Sequence, residues 1–466
     1  MFTEVMLWWG VCGLGVSAFG RVQKGSLSFS RSSIWKISYM IEMKGYLCLI
    51  ASLLLSGVCA TPVSKDEHSA EHHDHLHHDN DQPHVHNEAH EAAVQLLSPH
   101  NANFAFALYR HLSTHKNDSK PENVFFSPLG ISSALSMLAV GAKGTTHEEL
   151  FHTLGYCDLT QAKVNEAFEH VFHSLGHSQG ELQLDFGNAA VVQENFKPLA
   201  KFLEDLKHYY HSEGFTVDFT NSEEAAKVIN DFIAKKTDNK ITDMVKKLDE
   251  DTVMMLINYI FFRGKWEKPF DPEYTKKADF HVDENTTVSV DMMKKSGRFS
   301  YFYDNDNKTA VVVLPYQGKA SMMIVLPNEG KMKELEETIS KDDIRRWHNS
   351  LFKNSLDLYL PKFSASATYS LSSIFKGMGL RTVFSHSADL SGISEEVGLK
   401  VSEISHKAIL SVDEKGTEAA AVTTVEIMPM SLPWPMKFDR PFLLFILEES
   451  TKSILFMGKI TDPTAQ

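Results

Sequence analysis

The sequence predicts an α+β protein whose ordered part is one large domain. Helical and strand-like segments interleave irregularly, with no internal repeat, no Gly/Ser-rich linker and no second composition. Apolar residues make up 43% of the chain and charged residues 23%, the balance of a globular protein. Near the carboxyl end, Glu414–Phe442 reads EKGTEAAAVTTVEIMPMSLPWPMKFDRPF, a strand-like alternation that runs into a proline-rich stretch.

Taken in order, the body begins with a helix over Asn101–Leu112, where Phe104, Leu108 and Leu112 share a face. Ser127-Pro128 then opens SPLGISSALSMLAVGA, a serine cap followed by proline in the first turn. Its small residues Ser132, Ser133, Ala134, Ser136 and Ala139 suit a helix lying close beneath a sheet. Thr145 and Glu148 have capping-box spacing before a further helix. Leu182, Leu184 and Phe186, followed by AAVV from Ala189, mark a strand, and helices are expected around Pro198–Tyr210 and Ser222–Lys236. Thr252–Phe270 carries a β-rich apolar run, as in a strand covered on both faces. The closing FLLFILEESTKSILFMGKI reads as two buried strands joined by a polar turn at Glu449–Lys452.

The amino end is of another kind. Residues 43–60, MKGYLCLIASLLLSGVCA, have a basic start, an apolar run and small residues at Val58 and Ala60, the pattern of a secretory signal cleaved after Ala60. Residues 1–42 are expected to be an extension upstream of the true start at Met43; the rival reading is a signal anchor near Trp8. Residues 61–94 form a tail rich in histidine and acid, too poor in apolar residues to order itself. Its histidines (68, 72, 73, 75, 77, 78, 84, 86 and 90) can ligate zinc or copper, but their spacing defines no geometry, so no metal site is assigned. Cys12, Cys48 and Cys59 fall in or before the signal, which leaves Cys157 alone in the mature chain. No disulfide framework is possible, and this thiol is expected to be buried or, alternatively, to pair with another molecule. Net charge is −14, with +3 on residues 1–60 and −7 on residues 61–91. An acidic body argues against nucleic acid and anionic membranes as partners.

In the late stretch, Thr417, Ala419, Ala421, Thr423, Val425 and Ile427 lie on one side of an extended chain, uncharged and small at the start. Glu418, Ala420, Val422, Thr424, Glu426 and Met428 lie on the other. Pro429, Pro433 and Pro435 bar a central strand, so a potential strand leads into a stiff, exposed loop. The hinge EKGTEAA, the PMS of Pro429–Ser431 and the FDRPF of Phe438–Phe442 resemble, in pattern and spacing, the reactive-centre loop of the serpin family. The resemblance covers about residues 95–466, one serpin domain with its loop at 414–437.

It implies the serpin fold: a large mixed central sheet with further sheets, about nine helices, and an exposed loop able to enter the sheet as an extra strand. It makes Met430–Ser431 the bond offered to a protease and Glu414, Lys415, Gly416, Thr417, Glu418, Ala419, Ala420 and Ala421 the hinge. Ser127, Asn258 and His406 match polar residues lying beneath the opening sheet, and Trp266 matches the tryptophan where insertion begins. Gly130 stands where the family often has a second serine, which is expected to remove one hydrogen bond or replace it with water. The implied activity is that of a secreted, monomeric inhibitor of serine proteases, not an enzyme, needing no cofactor. An unbranched thioether at Met430 suits a medium apolar pocket, so elastase-like and then chymotrypsin-like enzymes are the expected targets. The alternative is a non-inhibitory carrier or chaperone with a metal-binding tail; small, uncharged residues at Thr417, Ala419 and Ala421 favour inhibition. Asn117, Asn285 and Asn307 head glycosylation sequons.

Hydrolase readings fail. No GxSxG surrounds Ser431. His147 and His152 in HEELFH are five apart, not four, and miss a common helix face.

Overall fold

Strand β4 (Met254–Gly264) is the spine of the protein. Its register partners place it between β2 (Leu182–Gln193), antiparallel along its length, and β11 (Ser405–Val412), parallel to it. With β3 (Glu213–Val217) and β10 (Phe363–Ser370) these make a mixed five-stranded sheet of order β10-β11-β4-β2-β3. The computed structural model describes residues 84–114, 122–176, 182–246, 248–395, 398–401, 404–416 and 433–465, all within the unit Asn80–Gln466. Thr417–Ala421, Met430, Ser431 and Asn117 lie outside them, as do the signal and most of the histidine-rich segment.

The second sheet has nine strands. Its path runs β1 (Val124–Phe126), β14 (Ile454–Ile460), β13 (Phe442–Glu448), β8 (Ala320–Pro327), β7 (Thr309–Pro315), β6 (Thr287–Asp304), β9 (Phe352–Pro361) and β12 (Trp434–Lys437), with β5 (Lys276–His281) on β6. The last two long strands are the expected antiparallel pair, and Phe442–Leu447 are wholly buried.

Nine α-helices are described: α1 (His84–Thr114), α2 (Pro128–Gly141), α3 (Gly144–Leu154), α4 (Gln161–Gly176), α5 (Ala200–Tyr210), α6 (Ser222–Lys236), α7 (Met332–Thr338), α8 (Lys341–Ser350) and α9 (Ser372–Gly377). None of the described helices is long and apolar enough to cross a membrane. Ser127 caps α2, its hydroxyl accepting from Gly130 N–H, and of the small residues of that helix Ser132, Ser133, Ser136 and Ala139 are buried while Ala134 is only partly so.

Three expectations are corrected or extended. The Thr145–Glu148 capping box does not form: α3 begins at Gly144, with no side-chain bond at the cap residue Lys143. A tertiary strap holds this end instead, Lys143 N–H donating to Asp389 O and Asp389 N–H to the Thr146 hydroxyl. Helix α1 begins at His84, well ahead of Asn101 and inside the stretch read as tail. Once a helix is nucleated, adding turns is cheap, and Glu88, Ala89, Glu91, Ala92 and Ala93 are strong helix formers. Cys157 is exposed, not buried, because it falls in the turn after α3 rather than on a packed face.

Candidate functional site: the seam between β4 and β11

The two central parallel strands touch over a short stretch, His406–Ile409 against Asn258–Phe261. Beyond it, Phe262–Gly264 of β4 and Leu410–Val412 of β11 have no partner in each other. At the opposite end, the foot of β4 and the chain entering β11 part around a cavity of about 130 Å³. Leu135 and Leu138 of α2 line it with Met254, Leu256, Leu399 and Ile404. The mixed sheet therefore carries a partly unzipped seam at its centre.

The segment read from the sequence as a hinge begins where β11 ends. Asp413 and Gly416 pair as an antiparallel bridge and close a tight turn, with Lys415 N–H donating to Asp413 Oδ1 at 2.8 Å. Gly416 has φ 106°, and a Cβ there would stand 2.3 Å from Gly264 O and 2.7 Å from Trp266 N, so a side chain is excluded on two counts. Trp266 N–H donates to Lys415 O at 3.2 Å and Phe270 N–H to Glu414 O at 2.7 Å. The Trp266 indole, 2% exposed, donates Nε1–H to Asp413 O at 3.0 Å and stacks on Tyr316 with ring centres 4.4 Å apart. Glu414 accepts from the Thr275 hydroxyl at 2.8 Å and pairs with Lys362 Nζ at 2.9 Å. Burial pushes its carboxyl pKa up, but the Lys362 ammonium and the Thr275 hydroxyl outweigh burial and hold it below the usual value.

Beneath the seam Ser127, Asn258 and His406 lie together. Ser127 N–H donates to His406 Nε2 at 3.1 Å, and Ser127 Oγ donates to Leu455 O at 2.7 Å. Since Nε2 accepts, the ring is neutral with its proton on Nδ1, and Nδ1 has no partner among the described residues. Burial alone pulls the His406 pKa down to about 3. Asn258 donates to Asn188 Oδ1 at 3.0 Å, and Asn188 in turn donates to Tyr210 O at 2.8 Å. Asn258 Oδ1 is buried without a partner among the described residues and points at Gly130, where a Cβ would lie only 2.4 Å away. Gly130 offers no side chain to Asn258, and the Asn258 carboxamide oxygen stands in the space that a side chain at 130 would take.

Sequence reasoning did not single out Asn188, Thr275 or Lys362. Asn188 left a trace, a polar residue in the buried run GNAAVV; the other two left none, being ordinary surface types 139 and 52 positions from Glu414.

A five-stranded mixed sheet with a central parallel seam, fed from one side by a tight turn, defines a class. The family model described as "Serpin (serine protease inhibitor)" matches residues 99–463, and the chain belongs to the serpins. Its similarity within the family is to the antitrypsins. It is 55% identical over 340 residues to the alpha-1-antitrypsin homolog of Cyprinus carpio, covering 73% of this chain and 91% of that one. With the alpha-1-antiproteinase of Rattus norvegicus it is 48% identical over 371 residues, covering 79% and 89%. Among solved structures, human glycosylated kallistatin superposes with TM-score 0.75 at 39% identity, over 80% of this chain and all of that one. A thyroxine-binding globulin complex with thyroxine gives 0.74 at 40% identity, over 79% and 100%. An antitrypsin-like serpin has serine proteases as its expected targets and is not itself an enzyme.

Proposed function

We propose that the protein is a secreted inhibitor that traps elastase-like, and less readily chymotrypsin-like, serine proteases by offering Met430–Ser431 as bait. The hinge-side segment then inserts between β4 and β11. The observation that carries this reading is the topology of the seam. A chain turning back at Asp413–Gly416 runs antiparallel to β11, and, because β11 and β4 are parallel, antiparallel to β4 as well. Insertion exchanges one short parallel contact for two antiparallel ladders, the better-bonded arrangement per residue.

The chemistry follows from that exchange. The protease serine attacks the Met430 carbonyl, its proton passes to the departing Ser431 nitrogen, and an acyl-enzyme forms. Entry of Thr417 to Met430 as a strand then carries the ester roughly 45 Å at about 3.3 Å per residue. Dragged that far, the protease loses the oxyanion-hole geometry that deacylation needs, and the ester persists. Trp266 marks the point of entry; Ser127, Asn258 and His406 lie below the path and re-form their bonds as the seam opens. Small, uncharged Thr417, Ala419 and Ala421 turn inward. They separate this reading from that of a carrier, since a carrier of the same fold needs no insertable hinge.

Secretion follows from residues 43–60, with 95–466 as a single inhibitory domain. Of the sequons, exposed Asn285 in the β5–β6 turn is the better acceptor. Asn307 already donates its amide to Asp343 Oδ1 at 3.2 Å, and Thr309 of its sequon is fully buried. Incubation with neutrophil elastase tests the proposal. A denaturant-stable band at the summed mass and a released peptide beginning at Ser431 are expected. Complete turnover to cleaved chain, or an amino terminus elsewhere, contradicts it.

A further inference from the structure

Trp434 is the most exposed large hydrophobic residue described, at 70%, against 57% for Tyr274, 55% for Phe352 and 39% for Val228. It is nevertheless held in place. It opens β12, whose register sets Trp434 beside Leu356 of β9 and Met436 beside Leu358. Met436 and Phe438 are buried, and Phe438 N–H donates to Tyr359 O at 2.9 Å, so the strand is anchored two and four residues beyond the indole. Pro433 and Pro435 fix φ on either side of it, and β12 is the last strand of its sheet among the described residues. The indole has no ring neighbour among the described residues. It is an apolar surface on an anchored strand, left mostly uncovered by the described residues, the form in which aromatic anchors serve interfaces at low entropic cost.

Its place along the chain names the occupant. Trp434 is the fourth residue after Met430, and three residues of chain reach at most about 11 Å, which bounds its distance from Ser431. A protease closed around Met430–Ser431 covers that distance on its leaving-group side. We propose that Trp434 is a docking residue for the target protease, seating its indole against an apolar wall of the leaving-group side of the cleft and so setting which proteases are captured. The inference rests on Met430–Ser431 being the bait bond.

A mechanistic signature follows. When the ester forms and Ser431 leaves as a free amine, the chain from Ser431 onward remains with β12, and the acyl-linked protease departs with the other strand. Trp434 therefore contributes to the encounter and not to the trapped product. It governs how fast the complex forms but not the fraction of inhibitor that ends as complex.

The test uses full-length protein, wild type, Trp434→Ala and Trp434→Phe, with neutrophil elastase and with elastase whose catalytic serine is replaced by alanine. Trp434→Ala is expected to weaken binding to the inactive protease about tenfold or more. It should slow trapping by the active enzyme by the same factor while stoichiometry and thermal midpoint stay at wild-type values. Trp434→Phe should recover most of both losses. Equal affinity and rate for all three proteins overturn the proposal, as does a loss confined to stoichiometry or thermal midpoint. If wild type is cleaved without being trapped, the inhibitory reading fails, yet the inactive-protease affinities still decide the role of Trp434.

Discussion

Glu414 and Asn258 border the same seam, one at its upper end and one beneath its middle, and their surroundings differ sharply. Glu414 has both carboxylate oxygens engaged, by Thr275 and Lys362, and its backbone carbonyl takes the N–H of Phe270. Asn258 and its neighbour His406 are 3% and 1% exposed, yet each keeps one polar atom unpaired among the described residues. A buried polar group left unpaired costs about 1–3 kcal/mol. The loop is thus tied at its root, while the sheet it is proposed to enter holds buried polar atoms with no partner among the described residues. A trap needs both: a fastening that keeps the loop out until a protease binds, and a seam whose closed form is not the best-bonded one.

The comparison breaks most visibly in acid. His406 is held neutral by burial, with a pKa of about 3 against about 6.5 in an unfolded chain. Between those values the unfolded chain binds a proton that the folded one refuses, so stability falls as pH drops through the window, by up to about 1.4 kcal/mol per unit. Thermal midpoints of wild type and His406→Gln between pH 7 and 4 should converge as the pH falls; parallel curves would exclude His406 as the source. Glu414 adds a smaller loss of the same sign further down, because its lowered pKa preserves the Lys362 pair until the carboxyl is protonated.

At the root, Glu414→Ala removes the ion pair and the Thr275 bond together and is expected to lower the free energy of opening by about 2 kcal/mol. Self-association on warming should begin several degrees earlier, with cleavage at the bait unaltered. An unchanged onset would mean that the backbone bonds to Trp266 and Phe270 hold the root alone. The smallest effect belongs to Gly130. A Cβ there meets Asn258 Oδ1 at 2.4 Å, so the amide must swing aside for any side chain. Serine offers it a hydroxyl in return and alanine does not. Gly130→Ser should therefore be more stable than Gly130→Ala by about 1 kcal/mol, measured by denaturant midpoint. Equal midpoints would show that the amide finds no donor in its new position.

Local rules located what local rules govern. Ser127-Pro128 announces the start of α2, the alternation from Leu182 announces β2, and the apolar run after Thr252 announces β4, because periodicity and caps depend on neighbours in sequence. The Thr145–Glu148 pattern misled for the converse reason: Asp389, far along the chain, holds that helix end. The trio Ser127, Asn258 and His406 was legible through family resemblance, but its chemistry was not. Which nitrogen of His406 accepts, and which atom of the Asn258 amide goes unpaired, depends on Ser127 and Gly130 at the start of α2 meeting Asn188 of β2. Lys362 and Thr275 were invisible because an isolated lysine or threonine has no signature until the fold sets it beside Glu414. Thr417–Ser431 lie outside the described residues, and their part rests on their alternation and on the seam waiting for them.

The central claim is that the hinge enters between β4 and β11 faster than the acyl-enzyme hydrolyses. Thr417 is the first residue expected to turn inward, one position beyond Gly416, and Glu418 the first to turn outward. The direct measurement is the stoichiometry of elastase trapping by Thr417→Arg beside Glu418→Arg. An inward guanidinium, buried without a partner, should stall insertion. The Thr417 variant should be cleaved at Met430–Ser431 as fast as wild type while forming little covalent complex, and the Glu418 variant should trap normally. Thr417→Arg trapping elastase with wild-type stoichiometry would contradict the account.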